Sequence, residues 1–151
     1  MIEIKINELG LELPPPPPPG GIYHPVVIVD KMLYVSGQIP MRADGSLITG
    51  TVGKDMSVEE GQRAARQVGL TMLATIQAQL GNLDGIKRLV KALGMVNCEP
   101  GFGSQPLVIN GFSGLMVELL GEQNGKGARS AVGMILPRGV AVEIEAIFEL
   151  K

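Results

Sequence analysis

With 151 residues and a formal net charge of −2, the chain has the size of one domain that can bury a core without disulfides or metal ions. Its 13 basic residues are scattered and provide no track for a nucleic-acid backbone, and no apolar run approaches the ~18 residues of a membrane span. From these two features we expect no nucleic-acid or membrane partner. The first residues lack the basic and apolar regions of a signal peptide, so we expect a cytoplasmic protein.

The cysteine and histidine content argues against a metal centre. Cys98 is the single cysteine and lies in an apolar run, where a buried, inert thiol is the common state. His24 is the only histidine, and the carboxylates lack a spaced metal-binding pattern. The sequence therefore predicts no metal site, and we expect His24, which precedes Pro25, to have a structural or surface role.

The N-terminal segment contains six consecutive prolines, Pro14 to Pro19. This run predicts a stiff polyproline II spacer that rises ~3.1 Å per residue. Residues 2–9 before it fit either a short helix ended by Gly10 or an extended arm. We expect residues 1–20 to form an arm and spacer and 21–151 to form the main domain. The spacer is interpreted as a strut, with docking to a proline-binding domain as the alternative.

The next elements are predicted as two strands and a long loop. Ile22 to Val29 and Met32 to Gln38 are rich in β-branched and aromatic residues, and the two residues between them indicate a hairpin. Turn-forming glycines and a proline across 39–56 indicate a long loop.

Two helices follow from capping signals and apolar periodicity. Ser57–Glu60 has the spacing of a capping box, and the helix that it begins is predicted to run to about Leu80, with Gly81 as its left-handed stop. The second helix is predicted to begin near Pro106, which fits a first turn, and to end at Gly121.

Three more strands are predicted at Ile86 to Cys98, Arg129 to Leu136 and Val140 to Leu150. The last two are joined by Pro137-Arg-Gly139, which indicates a hairpin. The predicted order is therefore β-β-α-β-α-β-β, an α+β fold with both helices on one face of a largely antiparallel sheet.

The residues best suited to chemistry lie in these last strands. Arg129 opens an apolar strand, and Glu143 and Glu145 follow in its predicted partner. An arginine can hold a carboxylate through two parallel hydrogen bonds, and a partly buried glutamate with a raised pKa can act as a base toward water. An ordinary cross-strand ion pair or a solvated acidic face explains the same pattern.

The predicted hairpin also separates these groups. A three-residue turn would set Gly133 opposite Glu143 and leave Arg129 roughly 14 Å away, too far for one small substrate. A shared site would then need another subunit or a β-bulge.

Four segments together resemble the RidA (YjgF) family over about residues 20–150: Ser36-Gly-Gln-Ile-Pro40, Ile109-Asn110, Ala128-Arg-Ser130 and Val142-Glu-Ile-Glu-Ala-Ile147. This family was long labelled L-PSP endoribonuclease, and its better-understood members are 2-imino acid deaminases. The resemblance implies a chorismate-mutase-like fold of the bacillus type and a homotrimer whose clefts lie between subunits. The chain is longer than the typical member, which indicates a subgroup.

The resemblance also implies roles for individual residues. Arg129 matches the arginine that binds the substrate carboxylate, and Glu143 matches the glutamate that orients or activates water. Ala131 stands where the deaminases commonly have cysteine, so its backbone can contribute but a thiol cannot. The other pocket positions are matched by Tyr23, Ser36, Gly37 and Asn110.

The implied activity is hydrolysis of a short 2-imino acid to a 2-keto acid and ammonia, without a cofactor. Two alternatives are considered beside it. The first is a trimer that binds a small carboxylate or keto acid without turning it over. The second is an endoribonuclease, which the scattered basic residues disfavour.

Overall fold

The structure, a computed structural model, describes residues 1–151. Its strands are β1 (Val26–Val29), β2 (Met32–Gln38), β3 (Ile86–Val96), β4 (Ala128–Gly133) and β5 (Val142–Leu150). Its helices are α1 (Ile2–Glu8), α2 (Val58–Leu80) and α3 (Gln105–Gly125), and a single 3-10 turn spans Pro137–Gly139. The strands form one sheet in the order β1-β2-β5-β3-β4. No helix is both long enough and apolar enough to span a bilayer.

Strand β5 lies in the middle of the sheet, and its side chains alternate between the two faces. Its alternation places one set of side chains in the core and the glutamates on the other face, as the sequence predicts. Helices α2 and α3 cover the core face, which confirms the predicted α+β arrangement. The buried side chains that β5 contributes are Val142, Ile144, Ala146 and Phe148.

Helix α2 follows its predicted signals closely. The backbone N–H of Glu60 donates to Ser57 Oγ at 3.1 Å, and the N–H of Ser57 donates to Glu60 Oε2 at 2.9 Å. This reciprocal pair is the predicted capping box. Gly81 ends the helix with a left-handed φ of 85°. The two-residue hairpin between β1 and β2 is also confirmed, with Val29 opposite Met32.

The predicted hairpin between the last two strands is wrong. Strand β5 pairs antiparallel with both β2 and β3, and β4 pairs parallel with β3. Gly133 lies opposite Val96 and not opposite Glu143, whose partner is Met95. The physical reason is that β3, α3 and β4 form a βαβ crossover, which returns the chain parallel to the strand that it left.

Several element boundaries also differ from prediction. Strand β1 begins at Val26 and not at Ile22, because Pro25 has no N–H to donate to a ladder. Strand β4 ends at Gly133, well before Leu136. Helix α3 passes through a kink at Gly121, where φ is 84°, and ends at Gly125.

The N-terminal segment is a helix tied to the core, which settles the open alternative for residues 2–9. Ile2 and Ile6 of α1 are buried in the main hydrophobic cluster. The N–H of Ile2 donates to Asp84 Oδ1 at 2.9 Å, and Glu3 Oε1 accepts from the N–H of Leu83 at 3.1 Å. These contacts fix one end of the chain that leads into the proline run.

Helices α2 and α3 cross closely at Gly111. A Cβ atom at this position would overlap the backbone carbonyl of Gln62 in α2. The side-chain amide of Gln62 donates to the carbonyl of Leu107 at 2.9 Å on the same side of the crossing. Because the obstacle is backbone and not a flexible side chain, glycine is required where the helices meet.

We expect Gly111→Ala to destabilise the protein by about 1–3 kcal/mol, since the helices must separate to accept the methyl group. The matched control is Gly114→Ala in the same helix, where a Cβ meets nothing within 4 Å. That variant should be more stable than wild type by about 0.5–1 kcal/mol, because alanine favours a helix over glycine. Urea unfolding of the three proteins measures both effects, and equal stability of Gly111→Ala and wild type would disprove the crossing argument.

Candidate functional site

A cleft of roughly 650 Å³ lies between the proline run and the end of β2. One wall is formed by Pro17 to Gly20. The turn at Pro137 and Arg138 also lines the cleft, as does Glu145. Four residues that the sequence singles out line this cleft together: Tyr23, Ser36, Gly37 and Glu143.

A β-bulge in β2 shapes the floor of the cleft. Val35 lies opposite Ala146 and Gln38 lies opposite Ile144, so Ser36 and Gly37 together occupy the space of one residue. A Cβ atom at Gly37 would overlap Oε2 of Glu143. Glycine at this position therefore makes room for the Glu143 carboxylate.

Ser36 is held in place by hydrogen bonds on both sides. Its Oγ donates to the carbonyl of His24 at 2.7 Å, and its N–H donates to the carbonyl of Pro25 at 2.9 Å. The buried amide of Gln38 donates to the carbonyl of Ser36 at 3.0 Å and accepts from Thr75 Oγ1 of α2 at 2.9 Å. The bulge is thus anchored to the helix layer, and His24 contributes through its backbone.

The glutamates of β5 have different environments although they share one face. Burial raises the pKa of Glu143 above its ordinary value, and the nearby charge of Glu145 raises it further. A hydrogen bond from Lys87 lowers the pKa of Glu149, with Nζ 2.9 Å from Oε1. The carboxylate of Glu143 makes no hydrogen bond or ion pair within the chain, so it is free to meet a ligand or water in the cleft.

Arg129 belongs to a second group of residues, on α3 and β4. Its Nη1 donates to Asn110 Oδ1 at 2.8 Å and to Ser113 Oγ at 3.1 Å, and its Nη2 lies 3.4 Å from the carbonyl of Pro106. No carboxylate lies within ion-pair distance of Arg129, so the cross-strand pair considered as an alternative does not form. Sequence reasoning missed Ser113, whose one signal is its position one helical turn after Asn110.

Arg129 and Glu143 lie far apart within one chain. Arg129 points to the helix face with Ala131, which packs against the core, whereas Glu143 faces the opposite side of the sheet. Arg129 is opposite Ala92 and Glu143 is opposite Met95 on the two sides of β3. Two strand spacings and three residues separate their backbones by about 14 Å. One chain therefore keeps the two groups apart.

Part of the sheet face without helices is open and apolar. A groove of about 330 Å³ lies on it, lined in part by Val27, Tyr34, Leu93 and Ile147. Tyr34 is 44% exposed, and Ile135, just beyond β4, is 98% exposed. Apolar surface of this kind commonly marks a contact with another protein chain.

The fold and the cleft define a chorismate-mutase-like α+β protein, and comparison with known families agrees. The model of the family described as "YjgF/chorismate mutase-like, putative endoribonuclease" matches residues 3–141. The chain belongs to this family, as its sequence motifs predict.

Individual relatives extend over nearly the whole chain. Protein TCP17 of Trypanosoma cruzi is 42% identical over 146 residues, which cover 96% of this chain and 91% of that protein. The crystal structure of Atu1372 from Agrobacterium tumefaciens is 45% identical, with a TM-score of 0.87 and coverage of 99% of this chain and 91% of that one. A "putative endoribonuclease" from Shewanella oneidensis is 30% identical, with a TM-score of 0.93 and 99% coverage of both chains.

A RidA protein from an Antarctic Psychrobacter is a more distant match. It is 26% identical, with a TM-score of 0.60, and the match covers 89% of this chain and 93% of that one. The 99% coverage by the Agrobacterium and Shewanella structures includes the N-terminal arm. The arm is therefore shared with those relatives, as expected for a longer subgroup.

The raised pKa of Glu143 predicts how stability depends on pH. The raised pKa in the folded state means that folding favours the neutral Glu143 carboxyl. The neutral carboxyl makes its full contribution to stability below the ordinary pKa of 4.5, and this contribution is lost as the pH rises through the raised pKa. Glu143→Gln removes the cost of the buried charge. We expect this variant to be more stable than wild type at pH 7, with the difference vanishing below about pH 4.5.

Glu149→Gln is the matched control with the opposite sign, since the pKa of Glu149 is lowered by Lys87. It should be less stable than wild type at neutral pH, and the difference should fade as acid protonates the wild-type carboxylate. Urea midpoints across pH at one protein concentration measure both variants. A Glu143→Gln protein that is less stable than wild type at pH 7 would contradict the burial argument.

Proposed function

We propose that this protein hydrolyses reactive 2-imino acids, or their enamine forms, to 2-keto acids and ammonia. The observation that carries the proposal is the pair of complementary half-sites. One presents the guanidinium of Arg129, which has no carboxylate partner, and the other presents the half-buried carboxylate of Glu143 in a cleft. An anion-binding group and a base toward water are what this hydrolysis requires.

In the proposed reaction Arg129 holds the substrate carboxylate and leaves C2 open to attack. Glu143 accepts a proton from water as the oxygen bonds to C2 and returns that proton to the imine nitrogen, so a neutral carbinolamine forms. The hydroxyl proton then moves through Glu143 to the amino group, the carbon–nitrogen bond breaks, and ammonia leaves as the keto group forms. Because imines hydrolyse readily in water, positioning and proton transfer are sufficient.

A neighbouring subunit is proposed to complete each site. The Arg129 half-site lies at the β4 edge of the sheet, and the Glu143 cleft lies toward the β1–β2 edge. Two different surfaces that meet head to tail generate a closed ring when the rotation between subunits closes. The open, apolar sheet face supports such an assembly, and we propose the homotrimer that is typical of the family.

The other two functions receive less support. The cleft is lined by a single basic residue, Arg138, and so lacks the series of cations that a phosphate backbone needs; RNA is therefore disfavoured as a substrate although relatives carry the endoribonuclease name. Binding of a keto acid without turnover uses the same arginine. Under that alternative, replacement of Glu143 would not change the rate of imine hydrolysis.

We expect Arg129→Ala to lower kcat/KM by roughly 10²- to 10³-fold, since two charge-assisted hydrogen bonds to the substrate carboxylate are lost. Glu143→Gln should lower kcat by about 10²- to 10⁴-fold, as is usual for loss of a general base. The assay uses 2-iminobutanoate generated in situ by an excess of amino acid oxidase and follows release of 2-ketobutyrate above the buffer rate.

Arg66→Ala is the control for removal of an arginine, because Arg66 pairs with Glu118 on the exposed helix surface. It should retain wild-type turnover. If wild type and Arg129→Ala both matched the buffer rate, the enzymatic proposal would fail and binding without turnover would replace it.

A mixing experiment tests whether the sites lie between subunits. Arg129→Ala and Glu143→Gln are each expected to retain about 1% of wild-type activity or less when alone, as the predicted losses imply. When they are unfolded together and reassembled, a shared site is intact wherever the first variant supplies Glu143 and the second supplies Arg129. Random assembly then restores about one quarter of wild-type activity, because each of the two conditions is met half of the time.

If each active site were built from one chain, every site in the mixture would still lack one residue, and activity would stay at the level of the single variants. The double variant mixed with either single variant is the control, since one of the two residues is then absent from every subunit. Light scattering gives the subunit number of each preparation and excludes loss of assembly as the cause.

A further inference from the structure

Arg138 is a cation in the cleft that the proposed reaction does not use. It is the one basic residue among those that line the cleft, where Glu143 and Glu145 also lie. It forms no ion pair with either carboxylate and makes no side-chain hydrogen bond within the chain. Its guanidinium is therefore available to an anion that enters the cleft.

The backbone that carries Arg138 is strained and firmly held. Its φ of 60° and ψ of 16° lie in the left-handed region, which residues other than glycine seldom adopt. The turn is closed by the N–H of Val140, which donates to the carbonyl of Pro137 at 3.3 Å, and the carbonyl of Gly139 accepts from the N–H of Gly50 at 3.1 Å. Leu136 and Val140 on its two sides are buried. Strain held by surrounding contacts is typical of functional positions.

We infer that Arg138 binds a second anionic group of the substrate, so that the preferred substrate is a 2-imino acid with a side-chain carboxylate. This inference rests on the proposed function, in which Arg129 of a neighbouring subunit holds the first carboxylate. Arg138 lies in the same cleft as Glu143 and on the same chain. The two arginines would then bind the two ends of a short dicarboxylate, with C2 left near Glu143.

Binding of keto acids tests this without requiring turnover. The probes are 2-ketoglutarate, which has two carboxylates, and 2-ketobutyrate, which has one. Calorimetry on the assembled wild-type protein should show tighter binding of 2-ketoglutarate. Arg138→Gly should lower the ratio of the two affinities by about 10- to 100-fold, since a charged pair is lost at one end of the dicarboxylate alone. Glycine takes the left-handed conformation without strain, so this variant is expected to fold.

Two further variants separate recognition from a structural role. Arg138→Asn is neutral and tolerates the same backbone conformation, so it should lose the preference as Arg138→Gly does. Arg138→Lys keeps the charge and should retain part of it. The inference is overturned if wild type does not prefer 2-ketoglutarate, or if Arg138→Gly weakens both keto acids by the same factor. If the wild-type protein does not hydrolyse imines but still prefers 2-ketoglutarate, the proposed function alone is refuted.

Discussion

The arrangement of the site depends on the central position and strict alternation of β5. Because Val142 and Ile144 must be buried against the helices, the intervening Glu143 has to lie on the opposite face of the sheet. Arg129 is held on the helix face by α3. The same alternation that builds the core therefore prevents these two groups from meeting inside one chain, and a neighbouring subunit becomes a chemical requirement of the proposed site.

Much of the fold is local in origin, and those parts are predictable from the sequence. The capping box at Ser57, the stop at Gly81 and the hairpin between β1 and β2 rest on residues within a few positions of one another. The position of β5 in the sheet is not determined by such local residues. Strands that are adjacent in sequence often pair, and this tendency favours a hairpin with β4. The strand–helix–strand order before β4 carries the competing signal, since a crossover of that kind returns the chain parallel to β3.

The site shows the same division between local and distant effects. Arg129 and Glu143 are predicted from their chemistry and from family motifs, and Asn110 from the motifs alone; the structure places Asn110 against Arg129. The bulge at Gly37 and the left-handed turn at Arg138 are not evident from the sequence. Both arise because backbones from distant segments meet, and neither has a residue pattern that distinguishes it from an ordinary strand or turn.

The proline wall of the cleft has a chemical consequence of its own. Residues Pro14 to Pro19 have no backbone N–H, so their main chain can accept hydrogen bonds but cannot donate them. A surface of that kind offers nothing to an oxyanion and is suited to a protonated nitrogen. On the side of the cleft formed by Pro17 to Pro19, the main chain can thus only accept hydrogen bonds, which in the proposed reaction would favour a protonated imine over the keto product.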